Sequence, residues 1–122
     1  MAMLGLTLTP AAHAGARFNN SDFYIDSEGH YASGMVSGVR NTADTVARIE
    51  CGITATFDNI SMFCWGQNAA QKSVTCFSSR PALVQAAATI QSESTIVFYW
   101  NEAGECTYLS VLVESATAPK TP

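Results

Sequence analysis

Val-Ala-Arg-Ile-Glu-Cys-Gly-Ile-Thr-Ala-Thr-Phe is the sequence of residues 46–57, and it decides the fold. Apolar and polar residues alternate along it with a period of two, which is the pattern of a β-strand with one face in a core. The predicted inner face consists of Ala47, Ile49, Cys51, Ile53, Ala55 and Phe57. We therefore expect a half-buried strand that directs Cys51 inward.

A second pattern predicts a β-hairpin around the next two cysteines. An apolar run at residues 62–65 is followed by a polar segment and by Ser-Val-Thr-Cys-Phe at residues 73–77. Two strand patterns separated in this way are typical of a hairpin. Symmetric pairing places Cys64 opposite Cys76 on one face and two phenylalanines opposite each other on the other face.

Residues 94–113 form a third pattern, with Asn-Glu-Ala-Gly at 101–104 between two apolar strands. The Asn and the Gly suit a type I turn closed by a left-handed glycine. Farther upstream, residues 30–40 predict a strand bent at Gly34 and Gly38.

One short helix is predicted between the second and third patterns. Ser-Arg-Pro at residues 79–81 supplies a helix start, and residues 82–90 are rich in helix formers. Its expected apolar stripe consists of Leu83, Ala86, Ala87 and Ile90. The chain is therefore predicted to be mainly β, a two-layer antiparallel β-sandwich of about six to eight strands with one short helix and two disulfides.

Residues 1–14 predict the end of a secretory signal. An apolar run leads to Ala-His-Ala at residues 12–14, which is typical of a cleavage site. Residues 15–122 then form a single β-rich domain with a mobile tail from about residue 114. The predicted location is secreted or periplasmic.

Four cysteines, Cys51, Cys64, Cys76 and Cys106, follow this signal. They have no Cys-x-x-Cys spacing, so a zinc or redox site lacks its ligand pattern, and we predict no cofactor. Two disulfides in an oxidising compartment are the default. Hairpin symmetry and strand phase favour Cys64 with Cys76 and Cys51 with Cys106.

Composition excludes some partners. The net charge is −4, so a phosphate-binding surface and a nucleic-acid partner are not expected. After the signal, no apolar stretch reaches the roughly 20 residues that a membrane-spanning helix needs.

Aromatic residues provide the candidate binding surface. Phe63, Trp65 and Phe77 share one face of the second pattern, and Tyr99 is the further candidate in the third. Large rings on one sheet face can bind a sugar or another protein, and the alternative is that these rings pack in the core between two sheets.

Asp22, Asp26 and Glu28 are weak candidates for a cation site. They do not fit an EF-hand, and a solvated loop is the preferred interpretation.

Several motifs together resemble a group of small exported bacterial four-cysteine proteins of unassigned function. The motifs are Gly38-Val-Arg-Asn-Thr-Ala-Asp44, a Cys-x11-Cys hairpin, Arg80-Pro-Ala-Leu-Val, Ser94-x-Ile-x-Phe-x-Trp100 and Gly104-Glu-Cys-Thr. The resemblance spans residues 30–120. It implies bacterial export and a shared disulfide plan, and it implies no activity.

The leading functional hypothesis is an exported noncatalytic binding module with an unknown protein or glycan ligand. The alternative is a structural subunit of a surface or extracellular homopolymer, in which residues 15–28 or an edge strand pair with a neighbouring copy. An enzyme or an enzyme inhibitor is the third hypothesis. No catalytic residue is predicted, because His30 has no Gly-x-Ser-x-Gly motif to accompany it.

Overall fold

A computed structural model describes residues 23–40 and 43–113 of the chain as two antiparallel sheets and two helices. The elements in chain order are β1 (Tyr24–Asp26), β2 (Tyr31–Met35), α1 (Val36–Arg40), β3 (Arg48–Ala55), β4 (Ile60–Gln67), β5 (Ser73–Ser78), α2 (Pro81–Ala87), β6 (Thr95–Trp100) and β7 (Cys106–Leu112). One sheet has the strand order β1-β2-β6-β7 and the other β3-β4-β5. The predicted fold class is confirmed.

The core lies between the sheets and follows the alternation of the strands. Ile96 and Phe98 are fully buried, whereas Tyr99 between Phe98 and Trp100 is exposed. From the facing sheet, Met62 and Cys64 of β4 are also almost inaccessible. The strands therefore direct alternate residues toward one common cluster, except in β7, where the contributing residues Cys106 and Leu109 flank a register shift.

The predicted disulfide pairing is wrong. The bridges join Cys51 to Cys64 and Cys76 to Cys106. Register does place Cys64 opposite Cys76, as predicted, but it also places Cys64 opposite Cys51 on the other side of β4. Cys64 therefore has two cysteine neighbours.

Backbone hydrogen bonding explains which neighbour Cys64 bonds. The Cα atoms of Cys51 and Cys64 are 4.0 Å apart, which is typical of a non-hydrogen-bonded antiparallel pair, where side chains are closest. In an antiparallel sheet, the N–H and C=O of one residue point to the same side of the strand. A residue of a central strand that does not hydrogen-bond to one neighbouring strand therefore hydrogen-bonds to the other. Cys64 and Cys76 therefore form the wider, hydrogen-bonded pair, and Cys76 is left for Cys106.

The two sheets are joined along one side of the sandwich, where β5 approaches β7. Phe77 forms a parallel bridge with Glu105, and the Phe77 N–H donates a hydrogen bond of 3.1 Å to the Gly104 carbonyl. The disulfide between Cys76 and Cys106 lies beside this bridge. We call this junction the seam.

Residues 30–40 differ from the predicted bent strand. β2 ends at Met35, opposite Thr95, which is the first residue of its neighbour β6. Beyond that point no partner strand continues, and the Val36 N–H donates instead to the Ser94 carbonyl. The chain therefore turns into the short helix α1, so the described chain has two helices rather than one.

The predicted inner face of β3 is only partly covered. Ile49 and Cys51 are half-buried, but Ile53 is 38% exposed and Phe57 fully exposed. The alternation correctly predicts the strand, but the predicted burial beyond Cys51 is wrong. β3 ends at Ala55, and Phe57 lies in the following turn, where the Thr56 N–H donates to the Asn59 carbonyl.

The last hairpin and the second helix agree more closely with the sequence. Gly104 has φ +81°, and the Asn101 Oδ1 accepts hydrogen bonds from the N–H groups of Ala103 and Glu105. α2 begins at Pro81 as expected. Its buried residues are Val84 and Ala87, and Leu83 and Ala86 are partly buried. The helix ends at Ala87, so Ile90, which is also partly buried, lies beyond it.

Some predictions concern residues outside the described ranges. They are the signal at residues 1–14, the tail from residue 114 and the candidate ligand Asp22. In the described part, neither helix has the length and apolar character needed to cross a membrane.

Candidate binding surfaces

A row of tyrosines crosses the outer face of the four-stranded sheet. The chain has four tyrosines, and all of them lie in this row, one on each strand: Tyr24, Tyr31, Tyr99 and Tyr108. Tyr99 lies directly opposite Tyr31 and Tyr108 in the strand register. Successive ring centroids are 5.8, 5.2 and 5.0 Å apart. We call this set the tyrosine row.

The tyrosine row is open to solvent along most of its length. Tyr24 is 52% exposed, Tyr99 38% and Tyr108 50%. The adjacent row on the same face begins with Tyr24, which is paired with Ser33 and reaches the other tyrosines through its ring contact with Tyr31. The rest of that row is smaller and consists of Ser33, Val97 and Ser110. The tyrosine rings therefore project farther from the sheet than these smaller, mostly hydroxyl-bearing side chains.

Ring orientation limits what this surface offers. The rings of Tyr31 and Tyr99 stack with an interplanar angle of 26°, and Tyr108 meets Tyr99 edge to face at 75°. Stacked rings cover each other's faces. The row therefore presents ring edges and phenol hydroxyls, which combine apolar area with hydrogen bonding.

Tyr31 holds its phenolic proton more tightly than an ordinary tyrosine does. Burial raises the pKa of the Tyr31 phenol, and the nearby Tyr24 and Asp26 raise it further, because negative charge beside a phenol disfavours the phenolate. Tyr31 is thus held as a hydroxyl that can donate a hydrogen bond.

The predicted candidate residues do not form one surface. Phe63 and Phe77 are cross-strand partners on the outer face of the three-stranded sheet, and Trp65 lies on the same face. Tyr99 lies on the other sheet. The structure therefore brings together three of the four predicted residues, and it places Tyr99 in the tyrosine row.

Two of the three rings on the smaller sheet contact residues of the neighbouring strand β3. The ring of Phe63 lies over Gly52, where an added Cβ would be 2.7 Å from its Cε1 atom. The Arg48 guanidinium lies 4.9 Å from the centre of the Trp65 ring. Phe63 and Trp65 are half-buried, and Phe77 is 60% exposed. This face therefore offers one exposed ring, Phe77, whereas three rings of the tyrosine row are exposed.

The weak cation candidates have structural roles or lie apart. The Asp26 Oδ1 accepts a hydrogen bond of 2.8 Å from the Gly29 N–H in the turn after β1. Glu28 is exposed. Within residues 23–40 and 43–113, no three His, Cys, Asp or Glu side chains are grouped to hold a metal ion.

His30 has a structural role in the same turn. It has φ 55°, its carbonyl accepts a hydrogen bond from the Trp100 N–H, and its ring stacks on Trp100 with centroids 6.0 Å apart.

A cavity of about 560 Å³ at the seam is lined by Arg80, Asn101 and Glu105 among others. The Asn101 side chain there is occupied by the turn that it stabilises.

Comparison with protein-family models, with curated proteins and with solved structures finds no match to this chain. The tyrosine row was missed at the sequence level, although strand phase directs Tyr99 away from buried Phe98. The missing information is that β2 lies beside β6, which no local pattern encodes.

Proposed function

We propose that this protein is an exported, noncatalytic module that binds another protein through the tyrosine row. The observation that carries the proposal is that every tyrosine of the chain lies in one solvent-exposed row across four strands. Isolated exposed aromatic residues are ordinary on protein surfaces, but a contiguous row of them is a feature of interaction sites.

The chemistry of the row favours a protein partner over a glycan. Tyrosine supplies rigid, amphipathic contact area with few rotatable bonds, and Tyr with Ser is the characteristic mixture of protein-binding paratopes. The row and the neighbouring Ser33 and Ser110 reproduce this mixture. A sugar stacks on an open ring face, whereas Tyr31 and Tyr99 cover each other's faces.

Two disulfides support folding in an oxidising compartment. We accordingly propose that the protein acts in the periplasm or outside the cell. The resemblance to small exported bacterial four-cysteine proteins is consistent with this location, and it stays a prediction.

Site-specific photo-crosslinking in the exporting host tests the proposal. A photoreactive phenylalanine analogue at position 108 reports on the tyrosine row, and the same analogue at Phe77 is the matched control on the other sheet. We expect a discrete protein adduct at position 108, lost when Tyr99→Ala is added, and none at position 77. Adducts of equal intensity at both positions, or none at 108, would refute the assignment. Tyr99-dependent binding to a glycan array would assign the row to a sugar instead.

A further inference from the structure

β3 is a long strand with one free edge. It ends the order of its sheet, and among the described residues no backbone hydrogen bond from another element reaches residues 48–55. By contrast, the edge strand β1 has three residues, and β7 approaches β5 at the seam. β3 has eight residues, pairs with β4 without a register shift, and contains no proline. Arg48 and Glu50 are its charged side chains, and they pair with each other on the outer face. In the described part of the chain, β3 thus has no proline, register shift or covering strand to protect its edge.

The unpaired backbone groups of this edge can be assigned. Because Cys51 and Cys64 form a non-hydrogen-bonded pair, the N–H and C=O of Cys51 point away from β4. The alternation of an antiparallel ladder gives the same direction to Ile49 and Ile53. These residues thus present three donors and three acceptors toward the free edge.

An apolar end of the β3–β4 hairpin lies next to this edge. Ile53 is 38% exposed, Ile60 47% and Phe57 104%, and the hairpin extends beyond the last residue of β5 that pairs with β4. We call these three residues the hairpin end. Full exposure of a phenylalanine at the tip leaves a large apolar ring in water, and burying it would be favourable.

A matching groove lies at the other end of the same edge. It encloses about 360 Å³ between α1 and the start of β3. Its apolar lining is Val36, Val39, Ala47 and Ile49, with Arg40, Arg48 and Glu50 at its rim. Side chains on the inner face of a strand added to β3 would enter this groove.

We propose that a second copy of this chain adds to β3, antiparallel, about a two-fold axis through Cys51. This register pairs Cys51 with its own counterpart and pairs Ile49 with Ile53 of the second copy, so all the outward backbone groups find partners. It also directs the hairpin end of each copy toward the groove of the other. The surface is self-complementary, as a two-fold interface requires.

The remaining side chains are compatible with this register. On the outer face, Glu50 lies opposite Gly52 of the second copy, and Arg48 lies opposite Thr54, so no like charges are directly opposed. Each copy has one free β3 edge, and pairing about the two-fold axis occupies the edges of both copies. The assembly therefore stops at two chains. The inference goes beyond the proposed binding function, since β3 and the tyrosine row belong to different sheets.

Sedimentation velocity of the oxidised full chain over a concentration series tests the dimer. We expect twice the mass of one chain, and a monomer for Ile53→Lys, which places a charge at the edge. Phe57→Ser should weaken the dimer by about tenfold or more, because each dimer buries the ring twice. Phe57 is fully exposed, so this variant does not threaten the fold. Thr75→Gln, at an exposed position of β5 away from the β3 edge, is the matched control and should dimerise normally.

A charge pair tests the register. Thr54→Glu should tighten the dimer and Thr54→Arg should loosen it, each by about two- to tenfold, because position 54 faces Arg48 of the second copy. A protein that stays monomeric at millimolar concentration overturns the proposal. A dimer that Ile53→Lys and Phe57→Ser leave intact places the interface elsewhere and overturns it equally, and equal effects of the Glu and Arg variants reject the register.

Discussion

Removing the disulfide at the seam should separate the two sheets locally as well as destabilise the chain. The double variant Cys76→Ala with Cys106→Ala opens a cross-link with a sequence separation of 30. In the chain-entropy model this loses about 3.6 kcal/mol of unfolding free energy, compared with about 2.9 kcal/mol for the bridge between Cys51 and Cys64, whose separation is 13. Both seam cysteines are also buried, so their loss leaves voids that add to the difference.

Urea unfolding under nonreducing conditions measures these free energies, and the seam variant should also lose roughly 15–25 °C in melting temperature. Because the entropic difference between the two variants is below 1 kcal/mol, a local measurement is decisive. The Phe77 amide donates to Gly104 across the seam. Its hydrogen exchange should accelerate in the seam variant and should stay slow in Cys51→Ala with Cys64→Ala, which is the matched control.

Two results would refute this reasoning. One is a Phe77 amide that stays equally protected in the seam variant. The other is nonreducing peptide mapping of the native protein that recovers Cys64 linked to Cys76. Either result would mean that the seam is not closed covalently by Cys76 and Cys106.

Three further predictions concern the core, the last turn and the tyrosine row. Phe98→Ala should lower the free energy of unfolding by about 3–5 kcal/mol because its side chain is fully buried, whereas Phe57→Ala should change it by less than about 0.5 kcal/mol, as chemical denaturation will measure. Gly104→Ala should cost about 1–2 kcal/mol because its φ of +81° disfavours a side chain. Asn101→Ala should cost about 0.5–1.5 kcal/mol, because the exposed N–H groups of Ala103 and Glu105 exchange their side-chain acceptor for water, and thermal melts will check both. The pKa of the Tyr31 phenol is raised in the folded state, so the folded state holds this proton more tightly than the unfolded state does. The contribution of Tyr31 to the free energy of unfolding is therefore fully present below the usual tyrosine pKa and is lost as the pH rises through the folded-state pKa. Unfolding free energies measured around pH 10–11 should decline less steeply in Tyr31→Phe, and equal slopes would contradict this.

Local patterns in the sequence predict local structure well in this chain. The period of two in residues 46–57 identifies β3, and Asn101 with Gly104 identifies the turn between β6 and β7. Each of these depends on the geometry of a few consecutive residues. The fold class follows because several such strands with one apolar face have few ways to bury it.

Relations between distant strands could not be obtained in the same way. Strand phase correctly directs Cys51 inward. It does not show that β4 lies between β3 and β5, so it predicts Cys76 as the disulfide partner of Cys64 instead of Cys51. Strand phase likewise predicts an inner position for Phe57, but it does not show that β3 ends at Ala55 and that Phe57 lies in the turn beyond it. The tyrosine row depends on the pairing of β2 with β6, which are far apart in the chain.

The closed seam and the free edge of β3 lie on different strands of the smaller sheet, and this asymmetry connects the two proposals. Because the disulfide and the parallel bridge occupy β5, the sheet can be extended by another strand at β3. Extension there leaves the outer face of the larger sheet untouched, so a dimer carries two uncovered tyrosine rows. The two tyrosine rows of one dimer could then bind two epitopes of a partner with repeated epitopes. Once the first row is bound, binding of the second row is intramolecular, so the apparent affinity rises without any new side-chain contact. Weakening the β3 interface should accordingly reduce apparent affinity for such a partner while leaving each tyrosine row intact.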